Sequence, residues 1–389
     1  VYSWKSGELY EGDFLHGLLE GSATIKYGNG DTYEGIISHS QRKGAGVYKA
    51  KTFDYQGNFL NDKFSGNGVY EDDNMRFEGT FVDGLRDGKG MEIYKTEHLE
   101  IRNPPVRYDG EFKKNKREGN GVKLWRNGLK YDGEFKNGLK HGEGLMLWPK
   151  EEVNGEVIIQ NYKGMFTNDE INGGKGTVCW GVEGHTLNRY FGEFKNGIFN
   201  GKGLLQKENG DEYDGNFVQG VYNGFGKLTK NDGEKYEGDF VNEIYEGQGK
   251  LTKVDGEVYD GEFKNAKYNG KGKIKFINKE TYEGDFVENL ITGKGEYHYS
   301  DNSVYKGSFE NGKRQGKGKI TYQPGHYYEG DWESDIRTGK GKEVFREGNV
   351  YEGDFQNDKI EGKGKMTYAN KDVYTGSFTD GKRNGEGEC

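Results

Sequence analysis

The stretch Tyr259-Asp260-Gly261-Glu262-Phe263 decides the fold, together with Gly270-Lys271-Gly272, which follows eleven residues after the leading tyrosine. The same combination, an aromatic-x-Gly-x-aromatic segment and then Gly-x-Gly, recurs along the whole chain. Its leading aromatic residues are Tyr10, Tyr33, Tyr55, Phe77, Tyr108, Tyr131, Tyr162, Tyr190, Tyr213, Tyr236, Tyr259, Tyr282, Tyr305, Tyr328, Tyr351 and Tyr374. Ten of the fifteen intervals between them are 23 residues long, which predicts about sixteen copies of one short supersecondary unit.

Each repeat contains a turn between its two motifs. In the repeat led by Tyr259 this turn is Lys264-Asn265-Ala266-Lys267, and Asn readily takes the positive φ of a tight hairpin. Because side chains alternate between the two faces of a strand, one face carries the aromatic residues and glycines. The other face carries acidic residues on the first strand and lysines on the second. Each repeat is therefore predicted to be a β-hairpin, with room beside its glycines for an aromatic ring of the neighbouring repeat.

The composition favours stacked hairpins over a conventional globular core. The hydrophobic fraction of the 389 residues is 31%, and 67 residues are glycine, which packs almost nothing. An aromatic fraction of 14% excludes a disordered chain, and the scarcity of proline excludes collagen. One hairpin buries too little surface to be stable alone. The predicted fold is therefore all-β, an elongated single-layer antiparallel β-sheet solenoid of stacked β-hairpins.

Charge and cysteine content limit the class of partner. The net charge is −9 and is spread evenly along the chain, so a nucleic-acid partner is not expected. No apolar run approaches the ~18–20 residues of a membrane span, which predicts a soluble or peripheral protein. Cys179 and Cys389 cannot build a disulfide framework, so we expect a reducing compartment.

The two motifs and the 23-residue period resemble MORN (membrane occupation and recognition nexus) repeats. The resemblance covers nearly all of residues 1–389. It implies that residues 1–9 end a preceding repeat and that residues 10–76 are MORN repeats. Residues 77–189 are then repeats with edge insertions, and residues 190–389 are regular 23-residue repeats. Both ends of the array are expected to be truncated.

Three long intervals interrupt the regular spacing. The extra residues lie near residues 95–106, 149–158 and 181–187. Because they occupy the same point in the repeat, we expect them to project from one edge of the sheet. They are either a docking edge for a partner or loops without a role. The candidate docking residues are Pro104, Pro105, Pro149, Val153 and His185.

A run of lysines replaces aromatic residues in three successive repeats. The position seventeen residues after the leading aromatic is usually Tyr, Phe or Trp, but it is Lys207, Lys230 and Lys253 in these repeats. Strands of the same sense recur every ~9.6 Å, so the three lysines are predicted to form a ladder for an acidic peptide or a phosphorylated lipid headgroup. The alternative is that they are solvated lysines at strand ends.

The leading tyrosines form a second candidate surface. The stripe consists of Tyr236, Tyr259, Tyr282, Tyr305 and Tyr328. It is either the core of the sheet or an apolar groove for a partner helix or extended peptide.

No motif for catalysis or for a metal stands out. The seven histidines are scattered, and the Gly-Lys pairs lack the Ser or Thr of a phosphate-binding loop. We therefore expect no enzymatic activity and no cofactor.

The resemblance implies a non-enzymatic scaffold or adaptor that displays protein-binding surfaces on a cytoskeletal or ciliary (axonemal) assembly. Long arrays of this kind are found in radial-spoke heads and in protist cytoskeletal scaffolds. The expected location is cytoplasmic, on the cytoskeleton or the axoneme, with other proteins of the assembly as partners. Junctophilins and plant phosphatidylinositol phosphate kinases also carry such repeats. The alternative is therefore a phosphoinositide-binding module that contacts membranes peripherally, or the regulatory arm of a larger lipid-kinase-like enzyme.

Overall fold

The chain forms two units built from β-strands. A computed structural model describes residues 1–95 and 103–388, and every regular element in these ranges is a strand. The units are Val1–Glu208 and Asn209–Cys389. The described residues contain no helix of the length and apolar character that crossing a bilayer requires.

The first unit contains eighteen described strands. Their bounds are β1 Tyr2–Ser3, β2 Leu9–Leu15, β3 Leu18–Lys26, β4 Thr32–Ser38, β5 Gln41–Lys49, β6 Phe53–Leu60, β7 Lys63–Asp72, β8 Met75–Val82, β9 Leu85–Tyr94, β10 Pro105–Lys113, β11 Lys116–Trp125, β12 Lys130–Lys136, β13 Leu139–Leu147, β14 Glu151–Val153, β15 Glu156–Thr167, β16 Glu170–Val182, β17 Asn188–Lys195 and β18 Ile198–Gln206.

The second unit contains sixteen described strands. Their bounds are β19 Glu212–Val218, β20 Val221–Thr229, β21 Lys235–Val241, β22 Ile244–Thr252, β23 Val258–Lys264, β24 Lys267–Lys275, β25 Thr281–Val287, β26 Leu290–His298, β27 Val304–Glu310, β28 Lys313–Gln323, β29 His326–Glu333, β30 Ile336–Val344, β31 Val350–Gln356, β32 Lys359–Thr367, β33 Val373–Thr379 and β34 Lys382–Glu388.

Strands pair antiparallel in chain order within each unit, except that β13 pairs with β15, and each of the sixteen repeats forms one hairpin. In the hairpin of β23 and β24, Val258 pairs with Lys275 and Lys264 pairs with Lys267. Two residues remain for the turn, Asn265 with a φ of 50° and Ala266 with a φ of 60°. Positive φ at both positions is the geometry of the tightest hairpin connection. The predicted all-β, single-layer sheet of hairpins is therefore confirmed.

The two glycines of each Gly-x-Gly motif have different roles. In the hairpin of β23 and β24 the register shifts between Gly261 and Phe263, and Gly270 next to this shift has a φ of +62°. Such backbone favours glycine because it has no Cβ to clash. The second glycine, Gly272, pairs with Gly261 across the hairpin, so both strands are bare of side chains at this point.

The leading tyrosine of each hairpin covers this pair of glycines. In the repeat led by Tyr33, a Cβ added at Gly46 would lie 2.6 Å from both Cε2 and Oη of that ring. The Tyr33 hydroxyl donates a hydrogen bond to the Ile36 carbonyl at 2.8 Å. The prediction that a ring of the neighbouring repeat would lie there is wrong. The tyrosine and the first glycine are two residues apart on one strand, so the ring reaches its own hairpin first.

Aromatic side chains also join each hairpin to the next. The ring centroid of Tyr259 lies 5.1 Å from Phe263 of its own hairpin and 5.1 Å from Phe286 of the following hairpin. Both contacts are edge-to-face, a geometry that contributes about 0.5–1.5 kcal/mol beyond area burial. Because the same contacts recur in each unit, the core is a continuous zipper that covers one face of the sheet.

In most repeats a third planar group packs on the aromatic face, nine residues after the leading aromatic; in others, this position holds an aliphatic residue such as Ile291. The planar group is Tyr268 in one repeat, stacked on Tyr259 with centroids 3.8 Å apart. In another repeat it is Arg337, whose guanidinium lies 5.3 Å from the centroid of Tyr328. The Arg337 Nε also lies 3.3 Å from Asp358 Oδ1, in the turn of the following hairpin. This position therefore adds a second link between neighbouring repeats.

The glycine pair provides a direct test of this packing. We expect Gly46→Ala to destabilise the first unit by about 1–3 kcal/mol, because the new methyl group overpacks the space that the Tyr33 ring occupies. Thermal and urea unfolding followed by circular dichroism measure the change. The control is Ala45→Ser, which adds one atom at an exposed position on the opposite face of the same strand. Equal stability of the two variants would contradict the tyrosine-on-glycine packing.

The tyrosine core also predicts how the fold responds to alkali. Burial raises the pKa of Tyr33 and of Tyr55 to about 12, whereas an unfolded tyrosine titrates near 10. Because the folded pKa is the higher one, this stabilisation is complete below about pH 10 and is lost as the pH rises towards 12. We expect the main rise in tyrosinate absorbance to coincide with loss of the β-sheet circular dichroism signal. Full ionisation of the tyrosines in an intact sheet would contradict the burial.

Candidate binding surfaces

The face of the second unit opposite to the tyrosines, here called the polar face, carries paired charges. Between β24 and β25, Lys271 lies opposite Asp285 and Lys273 lies opposite Glu283. The nitrogen–oxygen distances in these two pairs are 2.5 and 3.2 Å. We call each such cross-strand pair a rung. A rung forms where the second strand of one hairpin meets the first strand of the next.

Rungs recur along the polar face of the second unit. Further examples are Lys227–Glu237 at 3.0 Å, Lys317–Asp331 at 2.7 Å, Lys319–Glu329 at 3.4 Å, Lys340–Asp354 at 2.5 Å and Lys342–Glu352 at 2.7 Å. Exposed ion pairs of this kind contribute about 0.2–1 kcal/mol each. They account for the nearly balanced content of acidic and basic residues, and they leave the aromatic zipper as the main source of stability.

The polar face forms an open groove between β27 and β34. Its volume is about 1280 Å³, and its lining includes the facing glycine pairs Gly341 with Gly353 and Gly364 with Gly376. Seven lysines line this groove, against three glutamates. A second groove of about 890 Å³ lies between β22 and β27, with four lysines and four acidic residues in its lining. Charged residues and glycines thus line both grooves, and the charge of the lining changes along the sheet.

The predicted aromatic groove is occupied by its own side chains. Each of the five rings is at most 1% exposed; they are Tyr236, Tyr259, Tyr282, Tyr305 and Tyr328. Glycine pairs lie beneath the rings, and Tyr245, Tyr268, Arg314 and Arg337 pack against Tyr236, Tyr259, Tyr305 and Tyr328. This burial favours the alternative that the sequence left open, in which the stripe is core.

The predicted lysine ladder lies at turns on the aromatic side. Lys230 Nζ is 2.5 Å from Glu234 Oε1, and Lys253 Nζ is 2.6 Å from Glu257 Oε1. The hydrogen bond to Glu234 raises the pKa of Lys230. Lys253 also lies 5.6 Å from the ring centroid of Tyr268. Both lysines thus have a carboxylate of their own, and Lys207 belongs to the first unit. Ligand binding by these lysines stays a prediction.

The first insertion packs against the following hairpin. Pro104 is buried, and its carbonyl accepts a hydrogen bond from the Arg126 N–H at 3.1 Å. Pro105 begins β10. Residues 96–102 of this predicted insertion lie outside the described residues.

The second and third insertions come together as one three-stranded extension. Strand β14 pairs with the start of β15, and Ile158 in β15 pairs with Val182 at the end of β16. Lys150 forms an ion pair of 2.5 Å with Glu183 across this extension. Val153 is 48% exposed, and the His185 N–H donates to the Val182 carbonyl in the adjoining turn. Val153 therefore lies in this extension and His185 in the turn that follows it.

A turn connects this extension to the first insertion. A Cβ added at Gly128 would lie 3.9 Å from Pro149 Cβ, and Gly128 follows Arg126, the residue that contacts Pro104. The first insertion and the extension therefore flank the same turn. Their role in docking stays a prediction.

Charged residues replace apolar core residues in three repeats, and sequence reasoning missed them. The affected position lies fifteen residues after the leading aromatic and holds Glu92, Lys123 and Glu343. Glu92 is 4% exposed and pairs with Arg86 and Arg117, and Arg337 Nη1 donates to Glu343 at 3.0 Å. Aligning this column with the isoleucines and leucines of other repeats could have found all three.

The described residues offer little for metal or nucleophile chemistry. In residues 1–95 and 103–388, no group of three or more His, Cys, Asp or Glu side chains is arranged to hold a metal ion. Cys179 is a free thiol that is partly buried in β16.

Lys123 predicts a pH effect on stability. Burial, with smaller contributions from Arg117 and Lys140, lowers its pKa to about 8, whereas an unfolded lysine titrates near 10.4. Between these values the unfolded chain binds more protons than the folded chain, so folded stability rises with pH. We expect the melting temperature of the protein to rise between about pH 7.5 and pH 9.5 relative to that of Lys123→Met. The same comparison with Lys116→Met, at an exposed position of the same strand, should show no such trend.

Comparison with known families agrees with this hairpin architecture. A family model described as MORN repeat matches fourteen segments, residues 10–32, 55–74, 77–97, 108–130, 131–152, 190–212, 213–235, 236–258, 259–281, 282–304, 305–327, 328–350, 351–373 and 374–389. The repeats led by Tyr33 and Tyr162 fall outside these segments, although each forms the same hairpin. A search among curated proteins found no significant match. Because the matched segments cover well over half of its length, the chain belongs to the MORN repeat family.

Proposed function

We propose that this chain is a non-enzymatic scaffold that displays protein-binding surfaces on a cytoskeletal or ciliary (axonemal) assembly. MORN repeats are protein-binding or membrane-associated repeat modules, and the assignment to such an assembly is our proposal. The observation that carries it is the recurrence of rungs on the polar face, because each hairpin presents side chains at a set interval from those of its neighbour. Such a surface suits several contacts along one extended partner.

The chemistry of the polar face supports binding over turnover. Its carboxylates are matched to lysines, as in the pairs of Asp285 with Lys271 and Glu283 with Lys273. General acid–base catalysis needs groups within reach of a substrate and with pKa values near the working pH. Paired, exposed carboxylates that repeat along an open groove instead favour ionic recognition.

The adjoining insertions of the first unit supply a surface that regular repeats lack. Val153 is 48% exposed at the end of the extension formed by β14, β15 and β16. We propose that this edge selects the partner, whereas the regular hairpins set its position.

Recruitment to membranes is the second candidate function. It would use Lys207, Lys230 and Lys253 to bind phosphoinositide headgroups. The ion pairs of Lys230 with Glu234 and of Lys253 with Glu257 weaken this candidate, because a headgroup has to compete with a carboxylate already in place. Sedimentation with phosphoinositide vesicles tests it. Binding that Lys230→Glu/Lys253→Glu abolishes would favour the membrane candidate.

Detergent extraction distinguishes the two candidates in cells. We expect the tagged full-length protein to stay with the insoluble cytoskeleton or axoneme after the membranes are dissolved. A photo-crosslinking amino acid at Val153 should then capture a specific neighbour. The matched control places the same group at Val254, which is 62% exposed in a regular connection between two hairpins. Release of the protein with the lipids would contradict the scaffold proposal.

A further inference from the structure

The rung pattern of the second unit is interrupted at single positions, as where Lys294 lies opposite Ser308, and one pair of adjacent hairpins lacks both of its carboxylates. Between β32 and β33, Lys363 lies opposite Ser377 and Lys365 lies opposite Thr375. At the same positions one repeat earlier, Lys340 and Lys342 lie opposite Asp354 and Glu352. The two lysines are thus kept, and both carboxylates that would neutralise them are replaced by hydroxyl side chains.

The neighbouring carboxylates do not fill this gap. Within the described part of the chain, neither Lys363 nor Lys365 forms an ion pair through its side chain. Glu352 lies opposite Lys365 inside the hairpin, but it is 2.7 Å from Lys342, and this hydrogen bond lowers the pKa of Glu352. The residue beyond Thr375 in the ladder is Glu388, two strands from Lys365, or about 9.6 Å.

The gap lies in the groove between β27 and β34. Lys363 and Lys365 line the groove of about 1280 Å³, whose lining has seven lysines and three glutamates. The preceding groove between β22 and β27 has equal numbers of lysines and acidic residues. The other five lysines of the larger lining form ion pairs with Glu296, Asp331, Glu329, Asp354 and Glu352, which leaves Lys363 and Lys365 as its two lysines without an ion pair to any described residue.

The preceding repeat shows which ligand such lysines accept. Glu352-Gly353-Asp354 places two carboxylates on one face of a strand, and they pair with Lys342 and Lys340. A segment with the same alternation would bring its carboxylates about 6.6–6.8 Å apart, the spacing of Lys363 and Lys365. The hydroxyl groups of Thr375 and Ser377 offer further hydrogen bonds to the same carboxylates.

We propose that the groove of the second unit binds an extended acidic segment of a partner protein, whose alternating carboxylates pair with Lys363 and Lys365. The partner supplies the two acidic groups that this repeat omits. This inference rests on the scaffold function proposed above and adds the chemical class of the partner.

A protein segment fits this site better than a lipid surface does. Lys363 and Lys365 are exposed residues of an open groove whose lining also contains Glu329 and Glu352. A flat anionic bilayer would be repelled by these carboxylates. An extended chain can enter the groove and place its acidic side chains between them.

The first test uses a fluorescein-labelled peptide with the sequence Ser-Glu-Gly-Asp repeated twice. The reference peptide has Gln and Asn in place of Glu and Asp. We expect the acidic peptide to bind in fluorescence anisotropy, more weakly at high salt, and the reference peptide not to bind. Equal binding of the two peptides would overturn the proposal.

Variants of the chain locate the site. We expect Lys363→Gln/Lys365→Gln to weaken peptide binding by about tenfold, as the loss of two exposed charge contacts implies. The matched control is Lys271→Gln/Lys273→Gln, which removes the same charge at the same positions of another repeat, where Asp285 and Glu283 already neutralise the lysines. We expect this control to bind the peptide within about twofold of the unmodified chain. An equal loss in both variants would overturn the assignment to Lys363 and Lys365.

A third variant keeps the lysines and fills the gap. Thr375→Glu/Ser377→Asp restores the rungs seen at Glu352 and Asp354, so we expect it to fold normally and to lose peptide binding. Unchanged binding by this variant would contradict the proposal. Vesicles that contain phosphatidylserine give the membrane comparison, and sedimentation that depends on Lys363 and Lys365 would point to lipid instead.

The outcomes separate this inference from the scaffold proposal. If the full-length protein resists detergent but the acidic peptide does not bind, the scaffold proposal stands and the acidic-segment inference fails. If the protein is released with the lipids and the peptide still binds at Lys363 and Lys365, the binding chemistry stands and the cytoskeletal assignment fails.

Discussion

The contact between a tyrosine ring and a pair of facing glycines is the interaction on which the rest of this structure depends. The ring of Tyr33 occupies the volume in which a side chain at Gly46 would begin. Because this happens in almost every hairpin, the aromatic face is filled from within. No second layer is needed to bury it. The sheet can thus remain a single layer because each tyrosine ring fills the space that the glycines leave without side chains.

Because the aromatic face stabilises the sheet, the residues of the polar face can vary. Its rungs are exposed and individually weak, so the replacement of two carboxylates by Thr375 and Ser377 costs the fold little. A similar change on the aromatic face would remove a contact from the zipper. The repeats therefore differ mainly on the polar face, where a ligand could bind, and the aromatic residues that stabilise the sheet stay the same.

The repeat pattern predicted most of the fold because it involves short-range geometry. The 23-residue period, the turn at Asn265 and the alternation of side chains determine a hairpin with two distinct faces. Which ring covers which glycine could not be predicted, because tyrosines of both the same and the adjacent hairpin are within reach. The stacking of Tyr268 or Arg337 was missed because this position has no common hydropathy: it holds Tyr, Phe or Arg in most repeats and Ile in others, such as Ile291.

The binding surfaces were less predictable because they depend on which strands meet. Lys230 and Lys253 stood out as interruptions of an aromatic column, but the structure gives each a glutamate four residues later. Lys363 does not differ from the lysines at the same position of other repeats. What sets it apart from most of them is that Ser377, and not a carboxylate, lies opposite it on the next strand. An alignment of the repeats shows that Ser377 stands where most repeats have an acidic residue. That Ser377 lies opposite Lys363 becomes clear only from the register of β32 and β33.

The edge-to-face contact of Tyr259 with Phe286 has a consequence for how such a protein can change over generations. For this contact, each hairpin requires of its neighbour a phenylalanine in one place and a tyrosine in another, at positions that the repeats share. A duplication or deletion of one 23-residue segment of the gene product therefore rejoins compatible ends. Within a unit, such an event would shift every later binding position by two strands, or about 9.6 Å, without altering its chemistry. The spacing between partners can in this way evolve in whole steps, independently of the affinity for any one of them.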